Sequence, residues 1–209
     1  MILKVLSLTA AGALLVAAHE LPNLNIGDAM PAADVKMKNV DGQMASLNDL
    51  AGRNGTLVIF SCNTCPFVIG SEGSEGWEGR YPELMAVGAR FGVPVVLINS
   101  NEAKRDQGDG FADMQARYKE KNYIGAYLLD AEHKVADAFG ARTTPHVFLF
   151  TKEGKLAYKG AIDDNVAKAS EVKERWAHKA IDNMASGLPV DPATTRNIGC
   201  SIKRMPHVH

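Results

Sequence analysis

Two runs dominate the apolar pattern of this chain, Leu57-Val58-Ile59-Phe60 and the stretch from Val93 to Asn99. Both are short and rich in Val, Ile and Leu, the pattern of strands buried on both faces of a sheet. Tyr127-Leu128-Leu129, ended by Asp130, predicts a third short strand. Val147 to Phe150 and Leu156 to Gly160, joined by Lys152-Glu153-Gly154-Lys155, read as strand, turn and strand. Upstream, the segments Asp34 to Met37 and Val40 to Gln43 carry an Asp41-Gly42 pair of the kind that turns a hairpin. Ser46 to Leu50 predicts a helical turn just before the first core strand.

Helical periodicity fills the spaces between these strands. Phe111 to Asn122 predicts one helix, and Lys134 to Phe139 a shorter one closed by Gly140. Residues 165–186 predict a long amphipathic helix with Val166, Ala169, Val172, Trp176, Ala180 and Met184 on one face. Gly187 and then Pro189 signal its end. A helix is also expected from Pro66 to Arg90, yet Gly70, Gly73, Gly76 and Gly79 recur at every third place. Each costs about 1 kcal/mol relative to Ala inside a helix. Either a loop breaks the helix between 70 and 80 or a glycine face packs closely on a neighbour. The break is the better reading, because Pro82 lies just beyond. Residues 102–110 are polar and contain glycine, so they read as a loop. A tail from about residue 188 follows the last helix.

The chemistry sits at the end of the first core strand, in Ser61-Cys62-Asn63-Thr64-Cys65-Pro66. A strand running into C-x-x-C with helical periodicity after it puts two thiols at a strand-to-helix turn. Unpaired N–H groups at a helix start favour a thiolate there. That setting lowers a cysteine pKa from about 8.5 to roughly 3.5–7.5. Two cysteines across one tight turn also close a disulfide without large backbone movement. A zinc site would need four ligands, and no second C-x-x-C or spaced Cys/His cluster supplies them.

Composition narrows the setting. Lys4 followed by a nearly unbroken apolar or small stretch to Ala17, with Val16-Ala17-Ala18 at its end, predicts an export signal over residues 1–18. An uncleaved anchor and a buried N-terminal helix are the alternatives, although the stretch is shorter than the roughly 20 residues a span needs. Residues 19–209 then form one domain with its tail. The formal net charge is −1 with no basic block, which argues against nucleic acid as a partner. Three cysteines are too few for a disulfide-built secreted scaffold. In an exported protein a lone C-x-x-C is more naturally a working redox pair.

Strand, C-x-x-C, helix, strand, helix, then Thr143-Thr144-Pro145 before a hairpin and a last helix resembles the thioredoxin superfamily. The added N-terminal hairpin is similar to its redoxin or AhpC/TSA-like branch, which includes extracytoplasmic thiol-disulfide oxidoreductases. Cys62 to Val68, Thr144-Pro145, Ile162-Asp163-Asp164-Asn165 and Gly199-Cys200-Ser201-Ile202-Lys203 carry the likeness, over residues 24–203. The resemblance implies an α/β fold with a central mixed sheet flanked by helices. It implies that Cys62 is the exposed attacking thiolate and that Cys65, more buried, resolves the mixed disulfide. Asn63 and Thr64 would tune the pair, with Pro66 beside them. A cis bond before Pro145 would bring the backbone of Thr144 against the cysteines to receive an extended substrate chain. No cofactor is implied beyond the Cys62–Cys65 disulfide. The implied partners are protein disulfides or dithiols and a redox partner that resets the pair. The implied location is the periplasm or another extracytoplasmic space, with no membrane contact after signal removal.

Two residues stay open. Cys200 is either a small buried apolar residue or a third redox thiol brought back by the tail. His146, next to Pro145, is expected within reach of Cys62, where it adjusts the local charge. With both cysteines it would complete a three-ligand copper site, which makes copper binding or delivery a rival function. A peroxiredoxin-like peroxidase is the other rival, and its signature has a hydroxyl residue three before the reactive cysteine. Here Ile59 precedes Cys62 at that spacing, and Cys62 itself precedes Cys65.

Overall fold

The computed structural model describes residues 21–206. Its seven-stranded mixed sheet has the order β2-β1-β5-β4-β3-β7-β8. Strand β3 (Gly55–Ser61) lies among the inner strands with every residue buried, as the unbroken apolar run requires. It runs parallel to β4 (Val95–Asn99), with Leu57 opposite Val95 and Ser61 opposite Asn99. On its other side it pairs antiparallel with β7 (His146–Thr151), Phe60 opposite His146. Strand β5 (Ala126–Leu129) continues the parallel part beyond β4. The hairpin β1 (Met37–Asn39) and β2 (Met44–Ala45) closes one edge, and β8 (Leu156–Gly160) closes the other. The Asp41-Gly42 turn forms as expected, with the Gly42 N–H donating to the Asn39 carbonyl at 2.8 Å.

Side chains alternate across the sheet, so β3 feeds two cores. Leu57 and Ile59 join Leu97, Val147, Leu149 and Tyr158 under α2 (Tyr81–Phe91) and α5 (Trp176–Ala185). Val58 and Phe60 join Ile98, Phe148 and Phe150 under α4 (Lys134–Phe139) on the opposite face. Helix α1 (Pro66–Ile69) follows the cysteine turn, and α3 (Phe111–Glu120) precedes β5. Among the described residues no helix is long and apolar enough to cross a membrane. The expected export signal at 1–18 lies outside the described residues.

The helix expected over 66–90 is broken, and its glycines are the cause. Helix α1 is one turn long and α2 starts at Tyr81. Gly70 and Gly76 both take positive φ, at +88° and +70°, and a Cβ on Gly76 would stand 2.4 Å from the Gly70 nitrogen. The loop is pinned by Trp77, whose indole donates to Asp163 at 2.6 Å, and by Arg80, which reaches Asp163 and the Asn165 carbonyl. Glu78 then anchors the turn before α2, accepting two bonds from Arg117 and one from Tyr123.

The long helix expected over 165–186 is half that length. Only Trp176–Ala185 is α-helical, and 165–175 forms a strap against the glycine-rich loop with a single 3-10 turn at Ala169–Glu171. The apolar spacing of Val166, Ala169 and Val172 is helical, but the strap's polar groups are taken elsewhere. The Asn165 side chain accepts from Ala167 and Lys168 N–H, Glu75 N–H donates to the Ala167 carbonyl, and the Glu75 carboxylate accepts from Ala169 N–H. Such local side-chain bonds compete directly with the helical ladder.

Candidate active site

Cys62 leaves the end of β3, and Cys65 caps α1, its carbonyl accepting the N–H of Val68 and of Ile69. Pro66 fills the first helical position, where a missing N–H costs nothing, and is exposed. Both thiols face one residue across the sheet. Cys62 Sγ lies 3.2 Å from the Thr144 hydroxyl, and Cys65 Sγ donates to the Thr144 carbonyl at 3.1 Å. Thr144 belongs to β6 (Thr143–Thr144), and its peptide to Pro145 is cis.

Two expectations about Cys62 fail here, its exposure and its being the thiolate of the reduced pair. Cys62 is not the exposed member, since Cys62 is 2% and Cys65 3% exposed. The turn is roofed by the 105–110 segment, whose Gly108 carbonyl and buried Asp109 carboxylate bond Asn63. The helix start is also a weak source of positive potential, because α1 has four residues and its aligned dipoles are few.

Hydrogen bonds do the work that a longer helix would have done. Cys65 is pushed down to about 5, first because the Cys62 thiol donates to its sulfur. Burial opposes this, and the Cys200 thiol and N–H and the Thr144 hydroxyl add to it. The Thr144 carbonyl favours the thiol form of Cys65, but it is one acceptor against several donors. Cys62 moves the other way, held protonated by its bond to Cys65, then by burial and by the Asp109 carboxylate. The reduced pair therefore holds its first negative charge on Cys65.

Asp109 is the hub of the site, and periodicity did not mark it. Its Oδ1 accepts from Asn63 N–H (2.6 Å) and the Asn99 amide (2.8 Å). Its Oδ2 accepts from the Thr64 hydroxyl (2.7 Å) and the Asn101 amide (3.0 Å). The two residues between the cysteines are thereby tied to the end of β4. Tyr127 adds a bond from its hydroxyl to the Asn63 side-chain oxygen at 2.8 Å. Arg105 stitches the segment from outside, donating to the carbonyls of Asp109, Asn99 and Asp130. The Asn99-Ser100-Asn101 cluster after a buried strand was the one available signal, while residues 102–110, which hold Asp109, read simply as a loop.

His146 is not in the site. It sits on β7 with its ring 4.4 Å from Phe148, on the aromatic face of the sheet, beside Arg142 and Phe139. Being opposite Phe60 in the register directs it away from the cysteines, so it neither adjusts their charge at close range nor completes a copper site. Among the described residues no group of three or more Cys, His, Asp or Glu is arranged to hold a metal ion. Cys200 is brought in instead, on β9 (Cys200–Ser201), directly opposite Thr144.

Residues 26–159 match the AhpC/TSA family, and the chain belongs to it. Its fold is thioredoxin-like. It is similar to an uncharacterized conserved protein of Geobacillus kaustophilus, with 31% identity, TM-score 0.78 and coverage of 88% of this chain and 94% of that one. At 14% identity and TM-score 0.54 it shares the fold of peroxidoxin BcpB from Mycobacterium tuberculosis, covering 78% of this chain and 98% of that one. At 20% identity and TM-score 0.50 it shares the fold of the thioredoxin domain of a Bacteroides vulgatus thiol-disulfide oxidoreductase, covering 66% and 90%. No curated protein matches the chain.

Proposed function

We propose that this redoxin is a thiol-disulfide oxidoreductase in which Cys62 and Cys65 cycle between dithiol and disulfide. One observation carries the reading: a single buried residue, Thr144, engages both sulfurs, the first through its hydroxyl and the second through its carbonyl. Two thiols held on one partner, one of them charged and bonded to the other, form a proton-sharing pair. As the Cys62 sulfur attacks a client disulfide, the Cys65 thiolate takes its proton. The Cys62–client bond forms, and the departing client sulfur leaves with the electron pair. Cys65, ionised again, then attacks Cys62 and releases the second client thiol, leaving the Cys62–Cys65 disulfide. A reducing partner resets it, and no cofactor enters the cycle. The peroxidase alternative lacks its hydroxyl residue, because Ile59 is apolar and part of the first core. We place the protein outside the cytoplasm on the strength of residues 1–18, and cell fractionation with an antibody against the domain tests this.

The decisive assay is reduction of insulin by purified protein, with dithiothreitol as reductant and a metal chelator present. Cys62→Ser should bring the rate to background, while Cys65→Ser should accumulate a mixed disulfide with insulin. Hydrogen peroxide consumption without insulin reduction, or trapping by Cys62→Ser in place of Cys65→Ser, would overturn the assignment.

A further inference from the structure

The last described residues return to the site along an unexpected path. Strand β9 pairs antiparallel with β6, placing Cys200 opposite Thr144 and Ser201 opposite Thr143. Thr144 is the residue that holds Cys62 and Cys65, so the third cysteine arrives at the same point from the far side. The approach is close enough to need a glycine, since a Cβ on Gly199 would stand 2.4 Å from the Thr144 carbonyl oxygen. Cys200 packs against the core cluster that contains both other cysteines. Unlike them it is half-exposed.

The tail is fastened on both sides of this residue. Before it, Asn197 donates to the carbonyls of Pro145 and Gly160, at 3.2 Å each, with its oxygen toward the Thr143 hydroxyl. After it, Ile202 N–H donates to the Arg142 carbonyl at 3.0 Å, and its side chain is buried in the aromatic core. Lys203 N–H donates to the Asn101 side chain at 2.9 Å, which joins the tail to the Asp109 hub. Arg204 reaches Asp137 on α4 at 2.6 Å. A segment that merely filled an apolar gap would need the Ile202 contact alone.

We propose that Cys200 is the third thiol of the site and exchanges with Cys65, so that the disulfide moves between Cys62–Cys65 and Cys65–Cys200. The proposal rests on the reading of Cys62 and Cys65 as the working pair. Cys200 loses its proton to solvent and its sulfur attacks the Cys65 sulfur of the Cys62–Cys65 disulfide. The Cys65–Cys200 bond forms, the Cys62–Cys65 bond breaks, and Cys62 leaves with the electron pair and takes up a proton. No oxidant is consumed, because the pair's own disulfide is the oxidised partner. Oxidation is thereby carried from two buried sulfurs to a half-exposed one, where a reducing thiol from solution meets it.

The test uses the purified wild-type chain and its Cys62→Ser variant in a series of oxidised and reduced glutathione buffers. Each is acid-quenched, alkylated, digested and mapped for linked peptides by mass spectrometry. In Cys62→Ser the Cys65–Cys200 peptide should exceed glutathionylated Cys65 by about tenfold, the advantage of a thiol held in place over one in free solution. Wild type should give both the Cys62–Cys65 and the Cys65–Cys200 peptides. Cys200 recovered as free thiol throughout the series would overturn the relay, and wild type alone is sufficient to show this if the variant does not fold. If wild type also forms no Cys62–Cys65 disulfide and leaves insulin intact, the working-pair reading falls as well. A pair that forms and reduces insulin while Cys200 stays free removes the relay only.

Discussion

The two faces of the sheet are built on different principles, although β3 supplies both. On the aromatic face, Phe60, Phe139, Phe148 and Phe150 meet edge to face, with ring centroids between 5.2 and 5.8 Å. Such contacts add about 0.5–1.5 kcal/mol per pair beyond area burial and require no partner atoms of a given charge. On the thiol face the apolar core ends at Ser61, and beyond it buried polar groups take over: Asn63, Asn99, Asn101, Asp109 and Thr144. Each has its bond, and among the described residues no buried side-chain polar atom is left without a partner. The aromatic face holds position by shape. The thiol face holds it by a hydrogen-bond network in which loss of one member strands the others.

The sharpest break of that comparison is Asp109→Ala. It removes the acceptor for the Asn63 N–H, the Thr64 hydroxyl and two buried amides at once. Stranding buried donors of this kind costs several kcal/mol in sum, and about 4 kcal/mol is expected. Urea unfolding monitored by far-UV circular dichroism measures it. Insulin reduction should fall in the same variant, since Asn63 and Thr64 lose the tie that fixes the cysteine turn. Phe139→Ala on the other face should cost slightly less, about 3 kcal/mol, by opening a cavity among three other rings. Its insulin reduction, assayed well below the unfolding midpoint, should stay near wild type. Equal losses of activity in both variants would mean that the two faces are not separable.

What the chain announced in advance follows the same division. The strands at Leu57–Phe60 and within Val93–Asn99 were legible because continuous apolar runs are a local property. Helix α4 and its closing Gly140 were legible for the same reason, and the cysteine turn was marked by its spacing. The break at Gly70–Gly79 was visible as an energetic penalty before any fold was known. The strap at 165–175 was not, because its departure from a helix is set by Glu75 and Asn165, and no periodicity encodes their bonds. Asp109 was missed because its partners lie in two other segments, and an aspartate in a polar stretch resembles any surface aspartate. His146 was misplaced for a subtler reason. Adjacency to Pro145 puts it near the cysteines in sequence, but pleat alternation sends its ring through to the opposite face.

A smaller effect sharpens the thiol side of the comparison. If the bond from Cys62 is the main reason Cys65 lies near 5, then Cys62→Ala should raise the Cys65 pKa. Thiolate absorbance near 240 nm, titrated in the reduced protein, reads this directly; the Cys200→Ala background isolates the Cys65 signal. In that background the intact pair should titrate with a first midpoint above 5, because the bond from the Cys200 thiol is gone; removal of the Cys62 donor should move it up by a further unit or more, about 1.4 kcal/mol. An unmoved midpoint would shift the credit to the Thr144 hydroxyl.

The smallest expected effect tests the aromatic face through its one titratable intruder. Burial holds the His146 imidazole neutral down to about 3, with the positive charges of Lys159 and Arg142 acting in the same direction. In the unfolded chain it protonates near 6.5. The folded pKa is therefore the lower of the two, so the unfolded state binds the extra proton as pH falls. The stability that His146 supports is fully present above pH 6.5 and is lost as pH drops toward 3. Because the ring is only half-buried, about 1 kcal/mol is expected between pH 6.5 and 4, less than the whole shift would give. Carboxylates titrate in the same window, so the quantity to measure is the difference between wild type and His146→Leu. The wild-type urea midpoint should fall relative to that of the variant as the pH is lowered from 7 to 4, the variant showing the flatter profile. Parallel profiles would mean that the ring remains hydrated when protonated and that Phe148 does not enclose it. The aromatic face would then be open at this edge, and its insensitivity to charge would be confined to the interior rings.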